Sequence, residues 1–229
     1  MAGVQQGAYD YVRDGLRAGF YKPNTDLNIN ELAVEANVSL IPMREALARL
    51  SAEGLIERRP AGGFSVPGVS VQNLVGDYTV IFCFLRQVTE LGLVQRELFP
   101  LTDLDVANDY LARMREDVEG MVEEAREFTR MFYRMIPSPK FISCVDAALD
   151  SSEFYRRVHY RDFLDFDAYL LTRENYADAM RAGDARTARN CVQAVWKTWL
   201  LTAEDVCRQA WFELYNRPSS NGDLSLSKG

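Results

Sequence analysis

The chain has 229 residues, 48% of them hydrophobic and 26% charged, with a net charge of −7. That composition supports a packed core in one large or two modest domains, and it excludes a protein that holds nucleic acid by bulk positive charge. No apolar run reaches the roughly 18 residues that a membrane-spanning helix needs, so no membrane association is expected.

The first residues, MAGVQQGAYDYVRDG, lack the basic and apolar segments of a signal peptide. Four scattered cysteines (Cys83, Cys144, Cys191, Cys207) form no CxxC pair, so buried free thiols in a reducing cytoplasm are expected. Ala8, Tyr11, Val12 and Leu16 make a helical stripe, closed by Gly19 and Pro23. A short second helix places Ile29, Leu32, Ala33 and Ala36 on one face. Residues 38–66 read VSLIPMREALARLSAEGLIERRPAGGFSV. Ser39 suits an N-cap, Pro42 is tolerated in the first turn, and Met43, Ala46, Leu47 and Leu50 form the buried face of a third helix. Gly54 ends that helix. Strand-like runs at 55–59 and 64–66 then flank a glycine-bearing turn.

Residues 60–70, PAGGFSVPGVS, divide a nearly neutral N-terminal part from an acidic remainder. Helical periods follow at about 74–99, 102–117, 121–136, from 140 onward, 166–182 and 185–215. No convincing strand occurs there, so an antiparallel all-α bundle is expected. The fold class is mainly α: three helices plus a β-hairpin over 1–69, a helical bundle over 70–216, and a small, polar tail over 217–229 that is expected to be disordered.

Two helices joined by a tight turn and followed by a hairpin are the parts of a winged helix-turn-helix. In such a unit the second helix of the pair presents its N-terminal residues to the major groove. Arg44 and Arg49 lie off the apolar stripe, Arg58 and Arg59 sit at the hairpin base, and Gly62 and Gly63 allow close backbone approach to DNA. Spacing alone leaves open a solvated amphipathic helix beside a surface turn.

The run LxxxELAxxxxVSxxPxREALxRLxxEGLIxxxPxxGFxV, over residues 27–66, resembles the DNA-binding domain of the GntR family of bacterial transcription regulators. The resemblance implies a homodimer on a pseudo-palindromic operator. The DNA-binding residues expected from it and from the periodicity are Asn30, Ser39, Leu40, Ile41, Arg44, Arg49, Arg58, Arg59, Gly62 and Gly63. The chain departs from the family at Leu40 and Ile41, where Arg-Thr is usual. Without that arginine no bidentate guanine contact forms at this point. The apolar pair then meets a thymine methyl, or Leu40 packs on the hairpin or is idle.

The helical region is similar to the FCD effector domain of the FadR-like subfamily. The resemblance rests on Arg86 and Glu90 in LRQVTE, Phe132-Tyr133, and ENYADAMRAGDARTAR at 174–189. Many such domains bind a divalent metal through an Asp and three His. The matching positions here are Thr129, Tyr133, Arg173 and Val195, so neither metal nor other cofactor is expected. His159, the chain's one histidine, is expected at the surface or a pocket rim. Arg173 shares a face with Tyr176, Ala177 and Met180 and should point inward. It is expected to grip the carboxylate of a small organic acid, with Arg86, Thr129, Tyr133, Trp196 and Trp199 around it. The alternative is an internal salt bridge from Arg173 to a bundle carboxylate. An enzyme is not expected: no phosphate-binding glycine loop and no GxSxG occur. A winged-helix protein-interaction module remains the rival.

Overall fold

Helix α1, Ala2–Arg17, buries Ala8, Tyr9 and Val12 against a second and a third helix in the computed structural model, which describes residues 2–216. Asn28 caps α2, Ile29–Glu35, by accepting from the Asn30 and Glu31 N–H groups. Asn37, in the left-handed region at φ 52°, turns the chain into α3, Leu40–Ala52. Met43, Ala46, Leu47 and Leu50 are the buried face of α3, as the periodicity predicts. Gly54, at φ 80°, stops it.

The sheet has one strand more than the expected hairpin. β1, Asp26–Leu27, and β2, Glu57–Arg58, pair antiparallel with opposite edges of β3, Phe64–Ser65. Leu27 and Arg58 both stand opposite Phe64. A two-residue strand carries no alternation, so β1 has no signature of its own. Leu27, Leu55, Ile56, Phe64 and Val66 join the three helices in one core.

Seven α-helices follow among the described residues, one more than expected. They are α4 (Val71–Val94), α5 (Leu101–Ala112), α6 (Val118–Arg130), α7 (Pro139–Ser151), α8 (Glu153–Asp162), α9 (Phe166–Ala182) and α10 (Ala185–Asn216). Ser70, Asp117, Ser138 and Asp165 cap α4, α6, α7 and α9. α4 stops at Val94, short of the expected 99, and a 3₁₀ turn leads to Pro100. α5 begins at Leu101, so Thr102 lies inside it and is not its cap. The single helix expected after 140 is broken at Ser152. That residue is fully buried, its hydroxyl donates to the Ala148 carbonyl at 2.6 Å, and its ψ of −3° ends α7. Side-chain back-bonding of this kind bends helices. The tail expected to be disordered lies outside the described residues.

A second core runs through the bundle, with Leu74, Tyr78, Ile81, Phe84 and Val88 as the α4 stripe. Cys83 falls between those positions and is exposed, as is Cys144; only Cys207 is buried, so burial was the wrong expectation for the first two. His159 is also a correction, because it is fully buried and not at a rim.

α1 packs on α7 and α8. There Glu153 accepts from Arg17 Nε at 2.6 Å, Arg126 Nη2 at 2.6 Å and Arg157 Nη2 at 2.9 Å. Arg157 Nη1 also donates to the Arg17 carbonyl at 2.6 Å. Arg126 and Glu153 are almost wholly out of solvent. Burial opposes the Glu153 charge, but Arg17 and Arg126 prevail and hold its carboxyl below the usual range. Removing one member of a buried pair strands the other. Glu153→Gln is therefore expected to lower the unfolding free energy by about 3 kcal/mol in urea titrations at neutral pH. Arg17→Ala, at a more exposed partner, is expected to cost about 1 kcal/mol.

Candidate nucleic-acid interface and ligand cavity

The apolar stripe of α3 fixes which of its side chains face outward. Ser39 stands at the N-cap position, exposed, and its side chain makes no capping bond. Leu40 is 42% and Ile41 70% exposed. Arg44, one turn on, is exposed and has no ion pair among the described residues. Asn30 is exposed at the start of α2, and its backbone N–H is taken by Asn28. An exposed helix N-terminus flanked by a hydroxyl and an arginine can take a phosphate and a base edge together.

On the hairpin, Gly62 and Gly63 adopt φ 92° and 86°, and nothing stands within 4 Å of where a Cβ would lie. The tip is open, and its conformation favours glycine. Arg58 reaches over the Phe64 ring with its face to solvent. Arg59 is ion-paired with Asp26.

Arg49 does not join this surface. Its Nε donates to Glu53 at 2.9 Å, and its guanidinium lies 3.9 Å from the centre of the Tyr9 ring. It lines the cleft between α3 and α7, with Arg130 and Asp146 on the other wall. The stripe puts Arg49 outside the core but does not say on which side. The side is the one that faces α1.

Between α4, α6, α8, α9 and α10 lies a cavity of about 60 Å³. Thr129, Arg173 and Trp199 line it; Arg86, Tyr133 and Trp196 do not. Arg86 is exposed beside Arg189 in a separate surface groove. Glu90 pairs with Arg189 across the helices, not with Arg86 one turn away. Tyr133 donates to Asp146 at 2.8 Å, and Trp196 stacks on Phe82 at 4.8 Å.

Arg173 points inward, as its spacing predicts, but its donors are occupied. Glu124 takes Nη1 and Nη2 at 3.0 and 2.7 Å, and Asn108 takes Nε at 3.1 Å. The Phe128 ring covers the guanidinium at 3.8 Å. The expectation that Arg173 grips a ligand carboxylate is therefore corrected to the internal salt bridge. Glu124 lies 49 residues away in sequence, beyond the reach of periodicity.

The four positions matched to a metal site do not fit one. Arg173 is a cation, Val195 has no donor, and the Thr129 hydroxyl donates to the Ala125 carbonyl at 2.8 Å. No group of three His, Cys, Asp or Glu side chains that could hold a metal occurs among the described residues.

Sequence reasoning missed α8. Arg156 and Tyr160, one turn apart, both line the cavity. The i, i+4 spacing of arginine and tyrosine was the available signal, but so polar a helix reads as a surface element. α8 also buries His159, whose two ring nitrogens have no partner among the described residues. Desolvation holds its pKa down to about 4. Asp77, bonded by Ser151, is pushed up to about 6, chiefly by burial.

Residues 4–66 match the family described as "Bacterial regulatory proteins, gntR family". The N-terminal part of the chain is a GntR-family helix-turn-helix domain. The "HTH-type transcriptional repressor RspR" of Escherichia coli K12 is 31% identical over 100 residues, which is 44% of this chain and 42% of that protein. That match spans less than half the length of the repressor. An "Uncharacterized HTH-type transcriptional regulator in unstable DNA locus" of Streptomyces ambofaciens is 26% identical over 178 residues, 75% of this chain and 72% of that one. The solved structure of E. coli McbR/YncC superposes over 94% of this chain and 98% of its own, with a TM-score of 0.66 at 20% identity. The whole arrangement of winged domain and helical bundle is thus a fold found in that protein. No helix among the described residues is long and apolar enough to cross a membrane.

His159 gives the site a pH signature. The unfolded chain takes up a proton near pH 6.5 and the folded one only near 4. The stabilisation is complete above the unfolded value and drains away as pH falls towards the folded one, at about 1.4 kcal/mol per pH unit. The stability of the native protein relative to His159→Phe is therefore expected to decline by up to about 3 kcal/mol across that range in urea titrations. The opposing slope of Asp77 is common to both proteins and cancels.

Proposed function

We propose that this chain is a transcription regulator of the GntR type, acting as a homodimer on a pseudo-palindromic operator, with repression as its default action. One observation carries the reading: α3 buries one stripe and leaves Ser39, Leu40, Ile41 and Arg44 bare at its N-terminus. That is the presentation of a recognition helix to the major groove. Arg58 and the Gly62-Gly63 tip lie against the flanking backbone, with Asn30 and Arg59 at the edges of the contact. Arg49 is left out of the set. The apolar pair at 40 and 41 favours a thymine methyl and imposes no guanine.

The division falls near residue 70. The helical part is an FCD-like effector and dimerisation domain of the FadR-like subfamily, and it takes a small organic acid without metal. Exposed Leu201 and Phe212, on the same side of α10, support a face covered by a second copy. Effector binding acts by favouring one arrangement of the paired bundles, which alters the spacing of the two α3 helices.

A gel shift with the DNA upstream of the protein's own gene tests the reading. Arg44→Ala, correctly folded, is expected to lose about tenfold to a hundredfold in affinity. Arg49→Ala is expected to bind DNA nearly as the native protein does while losing stability. Equal losses would overturn the orientation of α3. No binding by the native protein would favour the interaction module. Operator selection from random sequence is expected to show no required guanine opposite position 40.

A further inference from the structure

Three arginines of the described residues are buried: Arg126, Arg156 and Arg173. Arg126 pairs with Glu153 and Asp150, and Arg173 with Glu124. Arg156 is only 1% exposed and has no carboxylate at ion-pair distance among the described residues. Its Nη2 donates to the Leu149 carbonyl at 2.8 Å, while Nε and Nη1 have no partner among the described residues. The hydroxyl of Tyr160, one turn further, is also buried without a partner among the described residues. Asp77 feels the Arg156 charge, but it is bonded to Ser151 and forms no salt bridge with the guanidinium.

An unpaired guanidinium out of water is strongly destabilising, and an apolar side chain of similar volume would be as stable or more so. Packing therefore gives no reason for Arg156. Its position does, because Arg156 and Tyr160 both line the cavity between α4, α6, α8, α9 and α10. The other walls are mostly Ile81, Leu85, Phe128, Val192, Val195 and Trp199.

We infer that this cavity binds a small, predominantly apolar monocarboxylate, with the carboxylate on the free N–H groups of Arg156 and the Tyr160 hydroxyl. This deepens the effector reading above and rests on it for its regulatory meaning. One charge is matched by one cation. A second carboxylate would find only Arg173, whose donors Glu124 and Asn108 hold. A neutral amide would leave the Arg156 charge uncompensated. No metal takes part.

Calorimetry and thermal shift on the full chain, with benzoate and hexanoate as probes, test the inference. Benzamide and succinate serve as controls, and each titration is repeated with a chelator. At least one monocarboxylate is expected to bind saturably and raise Tm, with benzamide and succinate far weaker and the chelator without effect. Arg156→Met is expected to weaken binding about tenfold or more while its own Tm stays at or above that of the native chain. Arg156→Lys should retain part of the affinity, and Tyr160→Phe should lose a smaller share.

Absence of binding by both acids would overturn the inference. So would undiminished binding by Arg156→Met, succinate binding as tightly as the monoacids, or a fall in Tm that marks Arg156 as structural. A parallel gel shift separates the two readings. Acid binding by a chain that never binds DNA would leave the cavity assignment standing and sink the regulator. DNA binding without acid binding would do the reverse.

Discussion

One buried carboxylate ties α1 to the helical bundle. Glu153 receives Arg17 from α1, Arg126 from α6 and Arg157 from its own helix. Asp150 stands beside it and shares Arg126. The two acids are not equivalent. Glu153 is held below the usual range, whereas burial lifts Asp150 above it. Charged groups out of solvent tolerate few arrangements, because each must keep its partner. The contact between α1 and the bundle is therefore a defined joint and not a greasy slip surface.

The joint and the cavity meet in one short helix. Glu153 and Arg157 are a turn apart on the side of α8 that faces α1 and α6. Arg156 and Tyr160 are a turn apart on the side that faces the cavity. A helix transmits rotation and translation along its length as a stiff body, so what moves Arg156 moves Glu153. Coupling between distant sites needs an element whose position both sites bias. α8 has that connection by covalent structure alone, without any chain of intermediate contacts.

Periodicity made some of this legible and concealed the rest for a definite reason. The buried stripe of α3, its end at Gly54, and the inward direction of Arg173 follow from spacing within single helices. What spacing cannot supply is the partner. Arg173 meets Glu124 from 49 residues away, and Arg17 meets Glu153 from 136 residues away. The same limit explains Arg49, which is off the stripe but turned towards Tyr9. It explains Ser152 too, since a helix broken by one buried hydroxyl keeps its apolar rhythm on both sides. β1 was invisible because two residues carry no period. His159 and Arg156 were hidden by chemistry, since a helix reading EFYRRVHYRD is polar enough to seem solvated and is nevertheless buried on most of its circumference.

The exposed Leu40 and Ile41 acquire a meaning from the charge distribution. The chain is acidic as a whole and its winged part is nearly neutral, so it lacks the excess of Lys and Arg that makes non-specific DNA binding tight. Arg49 and Arg59 are further withdrawn into ion pairs with Glu53 and Asp26. Few cations remain to hold phosphates indiscriminately. Apolar side chains at the tip of α3 add no affinity for the backbone, and gain contact area only where a base presents a methyl group. On the proposed reading, a recognition helix built this way depends more on fit to the base edges than on Coulombic attraction. In the proposed dimer, the Glu153 joint, which ties α1 to the bundle, then matters more for placing the two α3 helices than it would in a strongly basic protein.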